Sequence, residues 1–349
     1  MRIAAVGSAL PPHYYDQDTL LDAFKRHWAE RHYNLDRLEA LHRNVLVGGR
    51  HLALPIEEYE RLEHWGQAND AWIRVAQEVG ERAIQDALRK SDLAADDVDS
   101  LMTVTVTGVA TPSLDARLMN RLRLPPRVKR VPIFGLGCVA GAAGIARAAD
   151  YVRAFPDHVA ILLSVELCSL TLQRQDLSIP NLIASGLFGD GAAAAVVVGN
   201  GRAAAGPAVV DSRSIFYPNS EDVMGWDISE EGFRIVLSAD VPEVVREHLR
   251  NDVDVFLDEH GLSRNDVSVW VSHPGGPKVL EAMQEALELP EEAFESAWRS
   301  LREVGNLSST SVLLVLQDAI ERKAPEPGSY GVMLAMGPGF CSELVLLQW

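Results

Sequence analysis

The sequence is poor in cysteine, in positive charge and in long apolar runs. Only three cysteines occur in 349 residues, Cys138, Cys168 and Cys341. Their number is odd, they lie far apart and none belongs to a Cys-x-x-Cys pair. That argues against a disulfide framework or a zinc site and for a reducing, cytoplasmic setting. Lysine and arginine total 32 against 49 acidic residues, a formal charge of −17. Nucleic acid needs a basic face, so it is not the expected partner, and an acidic membrane surface is disfavoured too. An anionic small molecule stays open where a local basic patch overrides the global field. No apolar stretch approaches the ~18 residues of a membrane span. The opening MRIAAVGSALPPHYY has too short an apolar run, broken by Gly and Pro, for a secretory signal, and reads as a strand and a loop.

What is present is a soluble globular mixture, 47% apolar and 23% charged, in a chain longer than one usual core. Two domains, or one large duplicated α/β unit, are expected. Apolar periodicity predicts a strand at RIAAVG, then helical segments from about Asp16 to Arg43. Asp16 serves there as a cap, and Leu20, Phe24 and Trp28 recur in four-residue steps. An amphipathic helix is predicted over about 67–90. Strands follow at SLMTVTVTG, RVPIFGLG, HVAILLSVE and AAAAVVVG, with helices at TPSLDARLMNRL and VAGAAGIARAADYVRAF. After the small-residue connector GNGRAAAGPA the grammar repeats. A strand at AVVDSRSIFY leads to a helix near 241–260, the strand VSVWVS and the helices PKVLEAMQEALEL and TSVLLVLQDAIER. The strands GVMLAMG and SELVLLQW close the chain. Each half ends in two strands with no helix between them. Alternating strands and helices predict a parallel-rich sheet covered on both faces, in two similar α/β halves, 1–205 and 206–349.

Three places carry chemistry. In FGLGCVAGAAG, Cys138 follows a strand and a tight glycine pair and opens a helix. It is either small hydrophobic filler or a nucleophile whose thiolate the helix N-terminus favours. In VWVSHPGGPKVL, His273 ends a buried strand, the end of an α/β sheet where ligands collect. In EVGNLSSTSVLL, Asn306 precedes an apolar helix and is, on local grounds, an N-cap with Ser308 and Ser309. If two halves pack face to face, the three converge. Cysteine then attacks, histidine exchanges protons and hydrogen bonds, and asparagine donates to an oxyanion, a set suited to acyl transfer through a thioester.

The blocks GLGCVAGAAG, GLFGDGAAAAVVVG, HPGGPKVLEA and GNLSSTSVL occur in order over essentially the whole chain. On them the sequence resembles the type III polyketide synthases, relatives of plant chalcone synthase built on the thiolase fold. TGVATPSLDARL and MGWD look like the bacterial branch. The resemblance implies a layered αβαβα unit of two duplicated halves, the first carrying the nucleophile and the second the histidine and asparagine. It makes Cys138 the acyl carrier, held as a thiolate by His273 and the helix terminus. His273 and Asn306 become the residues that bind the malonyl carbonyl and promote decarboxylation. Phe188 matches the aromatic gate between CoA tunnel and cavity. Cys168, Ser308 and either Gly225 or Trp226 fall among cavity positions. The family's Gly-Phe-Gly-Pro-Gly loop is here Ala335-Met336-Gly337-Pro338-Gly339, matching from Gly337 onward, so the wall at Met336 differs.

The implied reaction loads an acyl starter from CoA, extends it with malonyl-CoA by decarboxylative Claisen condensation, and cyclises the chain to a pyrone, resorcinol or polyhydroxynaphthalene. No metal or organic cofactor is implied, and no Walker loop, HExxH or Rossmann fingerprint occurs. The family's homodimer places Thr111 toward the partner's cavity. Arg43 and Arg50 lie where CoA contacts correspond best, although LVGGRHL has glycines where plant relatives are basic. A β-ketoacyl-carrier-protein synthase of the same fold is the nearest alternative, but Gln-Ala-Asn is expected beside its histidine and HPGGP stands here. A thiol acyl hydrolase using Cys138 and His273 is the alternative from another class.

Overall fold

The structure, a computed structural model, describes residues 1–28 and 34–349. Its first half contains β1 (Arg2–Ala9), β2 (His13–Asp16), α1 (Gln17–Trp28), α2 (Leu35–Asn44), β3 (Gly49–Leu52), α3 (Trp65–Lys90) and β4 (Ser100–Thr105). It continues through α4 (Leu114–Arg121), β5 (Lys129–Phe134), α5 (Ala140–Ala154), β6 (Val159–Leu167), α6 (Ile179–Leu187) and β7 (Asp190–Val198). The second half starts with β8 (Ala208–Phe216), the hairpin β9 (Met224–Ser229) and β10 (Gly232–Leu237), and α7 (Val241–Asp258). It ends with β11 (Val267–Ser272), α8 (Pro277–Leu287), α9 (Glu295–Val304), α10 (Ser309–Asp318), β12 (Tyr330–Gly337) and β13 (Cys341–Gln348). Asp16 caps α1 as expected, its Oδ1 accepting from the Thr19 N–H at 2.7 Å. Of the helical stretch expected over 16–43, residues 29–33 lie outside the described residues.

Nine strands form one sheet in the order β11-β12-β13-β8-β1-β7-β6-β4-β5. Outward from β1 the neighbours are β7, β6, β4 and β5; outward from β8 they are β13, β12 and β11. With β8 standing for β1, β11 for β4, β12 for β6 and β13 for β7, both halves repeat one order, and only β5 lacks a counterpart. The halves join at a single register pair, Arg2 with Ala208.

Side chains alternate across β6 and β7. Ile161, Leu163 and Val165, with Ala192, Ala194 and Val196, share a core with α3 through Trp72, Val79 and Ala83. The opposite face, Ala160, Leu162, Ala193 and Ala195, shares another with α5 and α10. Each fully buried Leu or Val contributes on the order of 2 kcal/mol, so strands this apolar need cover on both sides. Both α5 and α10 touch strands of both halves and form the central layer. Residues of α7 and α8, among them Val245, Leu249, Leu280 and Met283, join β11 and β12 in the second half's core. The result is the layered αβαβα architecture. A Cβ on Gly141 would lie 2.3 Å from the Ser309 carbonyl oxygen and 2.5 Å from Val312 Cγ1, so glycine is what lets α5 and α10 approach this closely. Among the described residues no helix is long and apolar enough to cross a membrane.

Two expectations are corrected. The sheet is mixed, not parallel-rich: β4 is parallel to β5 and β6, and β11 to β12. The pairs β1·β7, β1·β8, β6·β7, β12·β13 and β8·β13 are antiparallel. In the second half β12 and β13 are joined by a short turn with no helix between them, so the chain can only come back in the opposite direction. The second correction concerns the first half, where a 3-10 turn at Cys168–Thr171 and α6 intervene between β6 and β7.

Candidate active site

Cys138 owes its position to a turn that glycine makes possible. Between β5 and α5 the chain bends at Gly137 with φ +56°, and a Cβ there would lie 2.5 Å from Pro338 Cδ. Cys138 falls in the 3-10 turn Gly137–Val139 that runs into α5. It is buried, and its thiol donates to Ser308 Oγ at 3.5 Å. Burial pushes the thiol up to about 12. The Ser308 hydrogen bond pulls it back and the buried Glu166 carboxylate adds to the rise.

His273 continues β11 by one residue. Its N–H donates to the Leu334 carbonyl of β12 at 2.9 Å, and that bond aims the ring inward. The ring is buried with neither nitrogen hydrogen-bonded, and burial pulls its pKa down to about 4. A lone charge on either Cys138 or His273 is thus disfavoured by the same dry surroundings. The thiolate that the resemblance implies therefore needs the His273 imidazolium as its counter-charge. Moving the proton from sulfur to imidazole creates two opposite charges in one chamber instead of a single unpaired one, so the two ionise together.

Asn306 is held at both ends of its carboxamide. Its N–H donates to the Leu187 carbonyl and its own carbonyl accepts from the Gly189 N–H, each at 2.9 Å, which fastens it beside Phe188. Oδ1 accepts from the Ser308 N–H at 2.7 Å, and Nδ2 donates to the Gly275 carbonyl at 3.0 Å. This network fixes the amide orientation and leaves the second Nδ2 hydrogen for the cavity. The N-cap expectation is corrected: no side chain caps α10, and the Asn306 oxygen instead holds the Ser308 N–H ahead of the helix.

Cys138, His273 and Asn306, drawn from both halves, line one cavity of about 320 Å³. Phe188, Cys168 and Ser308 line it too, as do Met336 and Pro338. Both Gly225 and Trp226 contribute, which resolves the choice between them. Gly337 and Gly339 do not line it. Gly337 is pressed against the Cys138 turn, where a Cβ would lie 2.7 Å from the Val139 nitrogen, and Gly339 has φ +140°. A second chamber of about 200 Å³ adjoins the first, sharing Cys168, Phe188, Trp226 and Ile235.

The basic residues fall elsewhere. Arg43 is exposed, paired with Glu39 at 2.9 Å and Asp18 at 3.5 Å, and lines neither cavity. Arg50 is corrected as a CoA contact: it is 1% exposed and donates to the Ser185 and Phe188 carbonyls at 2.7 and 3.2 Å. Burial lowers its pKa to about 10, with Asp190 opposing the shift. Thr111 is exposed and outside both cavities.

One residue escaped the sequence reading. Glu166, at the end of β6, is fully buried and accepts from Ser309 Oγ, from Thr107 Oγ1 at 2.9 Å and from the Val106 N–H at 3.1 Å. Burial raises its carboxyl to about 7 against the pull of those donors. It ties the end of β4 to the start of α10 and so helps to place Ser308. Its signal was a lone acid in the apolar run HVAILLSVEL. Among the described residues no group of three or more His, Cys, Asp or Glu side chains could hold a metal ion.

Comparison with known proteins agrees with this geometry. The profile of the chalcone and stilbene synthases, N-terminal domain, matches residues 1–202, and that of their C-terminal domain matches 208–349. The chain is 53% identical to a 1,3,6,8-tetrahydroxynaphthalene synthase of Streptomyces peucetius subsp. caesius, over 99% of this chain and 93% of that protein. It is 32% identical to a 3,5-dihydroxyphenylacetyl-CoA synthase of Amycolatopsis orientalis, covering 100% and 93%. The crystal structure of 1,3,6,8-tetrahydroxynaphthalene synthase from Streptomyces coelicolor A3(2) superposes with a TM-score of 0.95 at 32% identity, covering 100% of this chain and 99% of that one.

Proposed function

The chain belongs to the chalcone and stilbene synthase family and is a type III polyketide synthase; from that premise we propose that it builds a tetrahydroxynaphthalene-type product from malonyl-CoA alone. The observation that supports this most directly is the meeting of Cys138, His273 and Asn306 in one cavity, together with the relative at 53% identity.

Each step follows from the residues. Cys138 Sγ attacks the thioester carbonyl of the starter while the neutral His273 ring takes the thiol proton. That proton then leaves with the CoA sulfur, and the acyl group stays on Cys138. A malonyl thioester next places its carbonyl against His273 and the free Nδ2 hydrogen of Asn306. Because its pKa is depressed to about 4, His273 stays neutral above that pH and can still donate one N–H. The malonyl carboxylate enters a cavity that, among the described residues, no Asp or Glu lines and departs as carbon dioxide. The electron pair it leaves forms an enolate, whose oxygen the two donors stabilise. The enolate carbon attacks the Cys138 thioester, the C–S bond breaks, and the extended chain is carried on CoA until it returns to sulfur.

Malonyl-CoA supplied alone to the purified protein is expected to give carbon dioxide and 1,3,6,8-tetrahydroxynaphthalene or its oxidation product by mass. Free malonate or acetate as the sole product would defeat the assignment and favour the hydrolase reading. A carrier-protein requirement would favour the ketoacyl synthase.

We also infer a homodimer working in the cytosol. β5 lies at the free edge of the sheet with Lys129 to Pro132 and Phe134 exposed, an unpaired edge open to a second copy. Thr111, exposed and unused by its own cavity, is free to reach a neighbour. Sedimentation should give twice 38.2 kDa; a monomer at working concentration would remove this inference. All three cysteines are unpaired, in keeping with a reducing compartment.

A further inference from the structure

With Arg50 buried and Arg43 engaged by two carboxylates, neither arginine offers a free cation to the catalytic cavity. Among the described residues, that cavity is lined by no Asp or Glu and by one permanently charged side chain, Lys278. In a chain with 49 acidic residues and a formal charge of −17, such a lining sets a positive charge with no lining carboxylate to oppose it. Lys278 is both exposed and cavity-lining, so it stands where the chamber meets solvent. It forms no ion pair or hydrogen bond with any described residue. It is the second residue of α8, five positions after His273. No side chain caps the start of that helix, so the helix dipole adds to the positive potential there. The lining of this cavity also includes Asn44 and Ser238, two uncharged polar residues that can hydrogen-bond an anion without opposing its charge.

We propose that Lys278 is the contact that holds the phosphates of the CoA thioester at the mouth of the catalytic cavity. The inference rests on reading the site as a CoA-using synthase. A thioester that reaches Cys138 must leave the charged end of CoA outside the apolar chamber, because burying phosphate without partners is prohibitive. At the mouth, a flexible point charge suits a phosphate that arrives and departs at every cycle better than a rigid guanidinium fork. Lys278 thereby selects CoA-borne substrates over shorter thioesters with the same acyl group, acting on capture and leaving the chemistry at Cys138 unchanged.

The test compares CoA with pantetheine, which lacks the phosphates, by calorimetric titration of the wild type, Lys278→Arg and Lys278→Glu. Loss of a charge-assisted contact plus introduced repulsion is expected to weaken CoA by about tenfold in Lys278→Glu. Pantetheine should be unchanged in all three proteins, and Lys278→Arg should stay within about threefold of the wild type for CoA. In turnover, Lys278→Glu should raise the KM for malonyl-CoA while kcat stays level. CoA affinity unchanged in Lys278→Glu, or a parallel loss for pantetheine, would overturn the proposal. Because titration needs no turnover, its outcome is separate from that of the product assay. An enzyme that binds CoA through Lys278 yet makes no polyketide would refute the proposed function alone. Lys278 is exposed, so the variants should melt with the wild type.

Discussion

Cys138→Ala is expected to lower polyketide output by about 10⁴-fold or more, the scale on which loss of a covalent nucleophile acts. The variant should fold, because the thiol makes one long hydrogen bond, to Ser308, and an alanine methyl is smaller than the side chain it replaces. Two measurements separate the role of the sulfur from a general loss of the site. Intact-protein mass should show an acyl adduct on the wild type after incubation with an acyl-CoA and none on Cys138→Ala. Carbon dioxide release from malonyl-CoA should persist in the variant at a reduced rate. His273 and Asn306 line the same chamber, and the carbon–carbon bond that breaks is not one the sulfur makes. Normal polyketide output from Cys138→Ala would remove the covalent mechanism. An adduct that persists would place the acyl group elsewhere, and Cys168 is the other thiol in that chamber.

Legibility in the sequence tracked how local each cause is. The turn carrying Cys138 could be anticipated because positive φ at Gly137 is a property of one residue, and glycine announces it. The duplicated grammar was visible because period-2 and period-3.6 patterns are local. The strand pairing was not, since nothing in an apolar run says which neighbour it takes or in which direction. Arg50 shows the same divide. Beside two glycines it resembles an exposed cation, yet carbonyls of Ser185 and Phe188, more than 130 residues on, enclose it. The hairpin Met224–Leu237, which brings Trp226 to the wall, carried a readable Glu-Glu-Gly turn between alternating strands. Glu166 was visible as an anomaly, but its donors lie about 60 residues before it and 143 after, so its role became clear only in three dimensions.

Asn306→Ala is expected to cut malonyl decarboxylation by about 10²–10³-fold, the usual effect of removing one oxyanion donor, while acyl transfer to Cys138 stays within about threefold of the wild type. The difference arises because the Asn306 donor acts where charge develops on the malonyl oxygen, whereas loading relies on the sulfur and the imidazole. Asn306 is also structural, since Oδ1 accepts from the Ser308 N–H and Nδ2 donates to the Gly275 carbonyl. Alanine alone could therefore fail by loosening the start of α10. Asn306→Asp separates the two roles. It keeps an oxygen for the Ser308 N–H but sets a second oxygen against the Gly275 carbonyl and offers the enolate no donor, in a chamber that no other acid among the described residues lines. A shared loss of carbon dioxide release in both variants, with loading retained, identifies the missing N–H as the cause. If Asn306→Asp decarboxylates like the wild type, the carboxamide is a cap and His273 must stabilise the enolate without it.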